Sequence, residues 1–186
     1  VGIFQYDADS ARSVCEGLTF QHFGDVAALT ALNRPGCTRS GLTETFRRRR
    51  KDPKKIIPMH PIYDSITHKT LGVLVYQEQL IRIFRELAGF SPEEADKTRK
   101  VVGKKLGEEE MNKFRPKFVG GAMANGLEED IAELLMDSIL SFSQYAFNMS
   151  HSVSYAAIAY WEMWCKVYYP TEFIWALMKN ANKPED

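Results

Sequence analysis

Apolar residues recur along most of this chain at intervals of three and four, the spacing that lines one face of an α-helix. Between His22 and Asn33 they fall at Phe23, Val26, Ala27, Leu29, Ala31 and Leu32, and Arg34-Pro35-Gly36 ends the run. From Gln77 to Leu87 the residues Leu80, Ile81, Phe84 and Leu87 share a face, with Gly89 as the stop. Ser91-Pro92-Glu93-Glu94 reads as a helix start: Ser91 caps, Pro92 takes the first helical position and Glu94 completes a capping box. A helix from about Glu108 runs past Pro116, which should kink or divide it, and Asn125-Gly126 ends it. Leu127 to Phe142 forms another. Ser150 can cap a long helix through Tyr168, stopped by Pro170, and Thr171 a last one to about Asn180. Near the start, Asp9 or Ser10 can cap a short helix ending at Gly17, and a further helix runs from Ser40 into a run of arginines. Pro53, Pro58 and Pro61 make the next stretch irregular. The best strand candidate is Leu71 to Tyr76, LGVLVY, whose unbroken apolar run also suits a buried turn or helix. The pattern predicts a mainly α, multi-helix domain with little or no strand over residues 1–180, divisible into sub-lobes 1–70 and 71–180, and a disordered tail at 181–186.

Composition narrows the class. Apolar residues make up 45% and charged residues 26% of the 186, ordinary for a chain that buries a core. The formal net charge is zero, with 24 basic and 24 acidic residues, which argues against a generally basic nucleic-acid binder. The charge is unevenly placed. Arg47, Arg48, Arg49, Arg50 and Lys51 form one basic run, and Lys97, Arg99, Lys100, Lys104 and Lys105 a second. Cys15, Cys37 and Cys165 are odd in number and lack zinc or disulfide spacing, which fits a reduced, cytoplasmic setting. No stretch has the length of a membrane span, and no membrane partner is expected. The first residue is Val1 rather than Met, which together with the family resemblance given below suggests a piece of a longer protein.

Three segments could carry chemistry. Phe147-Asn148-Met149-Ser150-His151 enters a helix whose unpaired N–H groups and positive dipole end suit a phosphate. His151 and Tyr155, four apart, share a face and could meet phosphate and base or sugar. On spacing alone, a plain N-cap with a buried Tyr155 stands ahead of that reading. Lys100 and Lys104 would share a helix face and repel, a cost an anion would remove, although a solvated basic helix end explains the same residues. The run Arg47–Lys51 is either solvated or laid on a phosphate backbone. Asp7-Ala8-Asp9 resembles a paired-carboxylate metal site, but a helix cap is the better reading. No Gly-rich phosphate loop, Ser-His-Asp arrangement or HExxH segment is present, and no metal site is expected.

Six stretches, in order, resemble the fingers of bacterial DNA polymerase III α. They are Gly2–Gln5; Ala31–Gly36 with Ser40-Gly41; Gly72–Gln79; Ala95-Asp96 with Arg99-Lys100 and Gly103–Lys105; Phe147-Asn148 with Ser150–Ser152 and Tyr155-Ala156; and Lys166 with Tyr169–Phe173. The resemblance implies a helical fingers unit of a replicative DNA-directed DNA polymerase, binding the incoming deoxynucleoside triphosphate and the template-primer. Its partners would be DNA, deoxynucleoside triphosphates, the rest of the polymerase chain and replisome subunits. The catalytic carboxylates and their Mg2+ would lie in the palm of the intact enzyme, so this fragment would bind no cofactor, hold no catalytic residue and be inactive alone. By motif match, Arg99 and Lys100, with Lys104 and Lys105, would hold triphosphate oxygens. Asn148, Ser150, His151 and Tyr155 would line the nucleotide pocket, and Arg34 and Arg47–Lys51 would face nucleic acid. The chain departs from the family pattern at Tyr6-Asp7-Ala8, at Lys100 where a second arginine is usual, and at Met149 where a lysine is usual. Lys100 keeps the charge but loses the bidentate fork.

Two other classes stay open on the sequence. One is a stand-alone helical nucleic-acid-binding module using Arg47–Lys51. The other is a protein-interaction bundle presenting Trp161, Trp164 and Trp175, although aromatic residues so placed are expected in a core.

Overall fold

The computed structural model describes residues 2–103 and 108–181. Its helices, in chain order, are α1 (Asp9–Cys15), α2 (Phe23–Leu32), α3 (Pro35–Arg39), α4 (Leu42–Lys51), α5 (Pro61–Thr67), α6 (Gln77–Arg82), α7 (Pro92–Gly103), α8 (Glu108–Asn112), α9 (Arg115–Ala124), α10 (Glu129–Ser143), α11 (Met149–Tyr168) and α12 (Pro170–Asn180). The α6 helix widens into a π turn at Ile83–Leu87, and short 3₁₀ turns span Pro53–Lys55 and His68–Thr70. The mainly helical expectation holds. Lys104 and Lys105, and the expected tail beyond Ala181, lie outside the described residues.

Several starts follow the sequence closely. Ser91 N–H donates to Glu94 (2.9 Å) and Glu94 N–H to the Ser91 hydroxyl (3.3 Å), which is the capping box expected for α7. Pro116 divides its helix as expected, leaving α8 and α9 on either side of a turn. Other caps differ. Asn148, not Ser150, caps α11, and Tyr169 with Pro170 behind it, not Thr171, opens α12. Ala8 occupies the α1 cap position without a side-chain bond. Asp9 sits in the first turn, where its charge suits the helix dipole. Asp7 instead accepts from Gly2 N–H (2.5 Å) and pins the preceding loop.

Two hydrophobic clusters meet along residues 71–76. The larger gathers α5 to α10 around Phe84, whose ring lies 4.9 Å from Phe90 and 5.0 Å from Phe118. In it, Gly121 brings α9 so close that a Cβ there would stand 1.9 Å from the Ala88 carbonyl oxygen. The smaller packs α1 to α4 around Phe46 and takes Leu71, Val73, Val75 and Tyr76, while Leu74 points to the larger. Both sides of the segment are therefore dry, which explains its unbroken apolar sequence.

The LGVLVY strand expectation is corrected here. Leu71 and Gly72 are left-handed (φ 57° and 73°), which turns the chain at its first residues. The rest is extended but joins no sheet. Its backbone groups are met by a turn bond from Val73 N–H to Thr70 O (3.0 Å), by side chains and by one bridge. Gln79 accepts from Val75 and Tyr76 N–H (2.9 and 3.0 Å) and donates to the Thr70 hydroxyl (2.7 Å), which donates to Val73 O (2.7 Å). Beyond it, Phe147 N–H donates to Val75 O (3.2 Å) and Gln77 N–H to Phe147 O (2.9 Å), an isolated parallel bridge that fixes where α11 begins.

Candidate functional site

The start of α11 is held by carboxylate and amide oxygens. Asn148 Oδ1 accepts from His151 N–H (2.9 Å). The Glu78 carboxylate, from the first turn of α6, accepts from Met149 N–H (3.1 and 3.0 Å) and from the Asn148 amide (3.2 Å). The place where the sequence suggested a phosphate thus already carries a negative group of the protein. Ser152, fully buried, donates to Ala27 O (2.5 Å) on α2 and also meets the Tyr76 phenol. With one side of the first turn so fixed, Ser150 and His151 face solvent.

His151 and Tyr155 come together as the spacing predicted, with ring centroids 4.0 Å apart. They belong to a longer row. Phe147 lies 5.4 Å from His151, and Phe4, brought in from the N-terminal loop, lies 5.0 Å from Tyr155. Tyr155 is half-buried, not a core residue as the plainer reading had it. Such a row offers π-faces on which a base can stack. Phe4 N–H also donates to Glu162 (2.5 Å), tying the loop to the second half of α11.

Arg99 and Lys100 lie on α7, half-buried and exposed respectively. Both bind Asp96 one turn earlier. Arg99 reaches Oδ1 and Lys100 reaches Oδ2, each at 2.8 Å. The Lys100 ammonium, then the Arg99 guanidinium, hold the Asp96 carboxyl below its usual range. The two cations thus lie side by side on one carboxylate. The α7 helix packs on α6, and α6 supplies Glu78 to α11, so one short helix anchors both clusters.

The arginines expected to face nucleic acid are mostly engaged with the protein. Arg50 forms an ion pair with Asp25 at 2.5 Å, and the two side chains are 8% and 5% exposed. Arg49 donates to Leu71 O (2.9 Å) and secures the left-handed turn. Arg47 pairs with Glu44 and donates to Glu16 O (3.0 Å). Arg34 donates to Ala31 O (2.6 Å) and Tyr145 O (2.5 Å), with its guanidinium 4.5 Å from the Phe147 ring centre. Arg48 and Lys51 stay exposed.

Sequence reasoning missed Glu78 and Asp96 as site residues. Asp96 carried a readable signal, since it precedes Arg99 and Lys100 by three and four residues. Glu78 carried none, because its partners lie 70 residues away. A cavity of about 840 Å³, bounded by Tyr6, Arg12, Phe20, Phe23, Tyr160 and Met163, was also unforeseen. It lies between the N-terminal loop, α1, the start of α2 and the second half of α11, with Arg12 and Lys166 among its lining. Among the described residues, no three of His, Cys, Asp and Glu gather as a metal site.

Comparison with known proteins gives consistent matches. The family model for the bacterial DNA polymerase III alpha subunit finger domain matches residues 1–126. The DNA polymerase III subunit alpha of Staphylococcus aureus (strain N315) is 40% identical over 180 residues, covering 97% of this chain and 17% of that protein. The DNA polymerase III subunit alpha of Aquifex aeolicus (strain VF5) is 37% identical over 185 residues, covering 98% of this chain and 16% of that protein. The chain spans about a sixth of the length of these relatives.

Proposed function

This chain belongs to the family of bacterial DNA polymerase III alpha subunit finger domains, and from that premise we propose that it grips the incoming deoxynucleoside triphosphate and the template-primer for a DNA-directed DNA polymerase. The observation that carries the reading is the shared anchor of two clusters on α6: a pair of cations aligned on Asp96, and an aromatic row fixed through Glu78. Triphosphate oxygens replace Asp96 on Arg99 and Lys100. The base or sugar lies against His151 and Tyr155, with Asn148 and Ser150 at the edge. Phosphoryl transfer is mostly positioning and charge stabilisation, so cations here serve the reaction without covalent chemistry. By motif match, Lys104 and Lys105 would add further charge for the triphosphate. The nucleotidyl transfer itself, with its Mg2+, belongs to other parts of the polymerase chain.

Contact with DNA phosphates narrows to the exposed Arg48 and Lys51. The rest of the arginine run builds the fold, which disfavours a stand-alone binding module reliant on Arg47–Lys51. The deciding experiment uses an intact polymerase chain that carries this segment. Charge reversal by Arg99→Glu should raise the apparent KM for deoxynucleotide or lower kcat strongly. An unchanged kcat/KM rejects the assignment.

A further inference from the structure

Beyond Ala159 the long helix α11 reverses the usual placement of its faces. Trp161 is 66% exposed, Met163, Trp164, Val167 and Tyr168 stand outward beside it, and Trp175 on α12 does the same. This corrects the expectation that the tryptophans belong to a core. The half-buried residues among 160–168 are the charged ones, Glu162 and Lys166, four apart and so on one face. That face looks onto the N-terminal loop. Lys166 lines the cavity together with Ile3 and Asp7, and Glu162 accepts from Phe4 N–H (2.5 Å).

The loop is a tight turn. Tyr6 N–H donates to Ile3 O (2.9 Å), with Phe4 and Gln5 at the centre. Gln5 has φ 65°, a left-handed conformation that a residue other than glycine enters at a cost and keeps only where its surroundings fix it. Both flanks of the turn are held. Asp7 accepts from Gly2 N–H (2.5 Å), Leu177 and Phe173 lie against Gly2, and the Tyr6 hydroxyl donates to Val26 O (2.7 Å) on α2. The turn's own bond uses the Ile3 carbonyl and the Tyr6 N–H, so the Phe4 N–H must find its acceptor outside the turn. Glu162 is that acceptor, and its charge makes the bond stronger than one to a neutral oxygen.

Tyr155 and Glu162 are seven residues apart on α11, which puts them on one face about 10 Å apart along the axis. Phe4 spans that interval, its N–H on Glu162 and its ring 5.0 Å from Tyr155. We infer that Glu162 is a positioning residue for the nucleotide pocket: by holding the Phe4 N–H it sets the Phe4 ring behind Tyr155 and keeps the aromatic row aligned for a stacked base. The inference rests on the proposed role of His151 and Tyr155 and adds a carboxylate that touches neither. Without the bond, the Gln5 turn relaxes and the Phe4 ring leaves Tyr155, so binding must order a row that was ordered beforehand. The effect falls on nucleotide binding, because Arg99 and Lys100 are unchanged.

Steady-state kinetics in an intact polymerase chain that carries this segment test it. Glu162→Ala should raise the KM for deoxynucleotide about fivefold, the scale of one hydrogen bond, with kcat changed less than about twofold. Glu162→Gln keeps an oxygen acceptor and should bring KM back to within about twofold of the unsubstituted chain. Phe4→Leu keeps the N–H and removes the ring, and should raise KM as Glu162→Ala does. Combining the two should raise it no further, since both act through the same ring. An unchanged KM in Glu162→Ala overturns the proposal, even where the thermal midpoint falls, because the bond then serves stability alone. A Gln variant as impaired as the Ala variant, or additive effects in the double variant, also overturns it. Should Glu162→Ala fail to fold, Glu162→Asp, which keeps the charge but withdraws the acceptor by one methylene, carries the same expectation. Arg99→Glu in the same assay keeps the two readings apart. A defect there beside an unchanged Glu162→Ala overturns the positioning role alone, and no change in either overturns both.

Discussion

The arginine-rich α4 and the aromatic-rich α12 reverse the usual placement of charge and carbon. On α4, Arg50 is nearly as dry as Phe46, while on α12 Trp175 and Ile174 stand in solvent. The difference lies in partners rather than in residue type. A guanidinium can be buried when a carboxylate or carbonyl oxygen meets part of its fork. Arg50 finds Asp25, Arg49 finds Leu71 O and Arg47 finds Glu16 O, while the buried Nε of each has no hydrogen-bond partner among the described residues. An indole needs apolar area, and α12 finds some of it on α11 and toward the N-terminal loop, where Leu177 and Phe173 lie against Gly2. Charge on α4 is therefore part of the architecture, while much of the carbon on α12 faces solvent.

The largest effect should come from breaking the buried pair. Asp25→Ala leaves Arg50 charged and unpartnered, and should cost about 3–5 kcal/mol in urea unfolding. Asp25 also accepts from Gln21 and His22 N–H at the head of α2, so in Arg50→Met the stranded carboxylate keeps two donors, and Asp25→Ala, which loses those bonds as well, should cost more. A loss under about 1 kcal/mol for Asp25→Ala would mean the pair is solvated and that α4 resembles an ordinary surface helix.

Next is the alkaline limit of the buried phenols. Burial raises Tyr63 and Tyr76 to about 12. Folding thus favours their neutral forms. That stability is complete below the unfolded value near 10 and is lost as pH rises toward 12. Each should remove about 1.4 kcal/mol per pH unit in that window, seen as unfolding that accompanies phenolate absorbance. Both Tyr63→Phe and Tyr76→Phe should flatten the slope.

How much of this was legible in sequence depends on the range of the interaction. The capping box at Ser91, the break at Pro116 and the His151–Tyr155 pair are local, and spacing alone exposed them. The Asp25–Arg50 pair, the Glu78 bond to α11 and the dry setting of residues 71–76 join positions far apart in sequence, where periodicity carries no information. The tryptophans misled for another reason. Apolar spacing predicts a covered face, and it cannot say whether the cover comes from this segment or from another.

Smaller effects should appear where a cluster is held rather than buried. Arg99→Ala in an intact polymerase chain should lower kcat/KM for deoxynucleotide about 10–100-fold, the scale of one charge-assisted contact of 1.4–2.8 kcal/mol. Glu78→Ala leaves the Asn148 cap in place but removes the acceptor of Met149 N–H. It should cost about 1 kcal/mol of stability and raise the apparent KM several-fold as the aromatic row loses its anchor. A fall in KM would show instead that the carboxylate had been excluding a phosphate from that helix start.

The smallest effect sharpens the comparison most. Phe46→Ala should cost about 3–5 kcal/mol, because the ring is fully enclosed and its removal leaves a cavity. Trp175→Ala removes a larger side chain, yet should change the stability of this segment by no more than about 0.5 kcal/mol, because its ring is mostly in water before and after unfolding. The Lys179 ammonium, 4.8 Å from the ring centre, adds only a solvent-exposed contact. Chemical denaturation of the two variants beside the unsubstituted chain measures both numbers. Equal losses would place Trp175 inside a core of its own segment and remove the need for any cover. A loss confined to Phe46 would show that Trp175 contributes little to the stability of this segment, as its exposure implies.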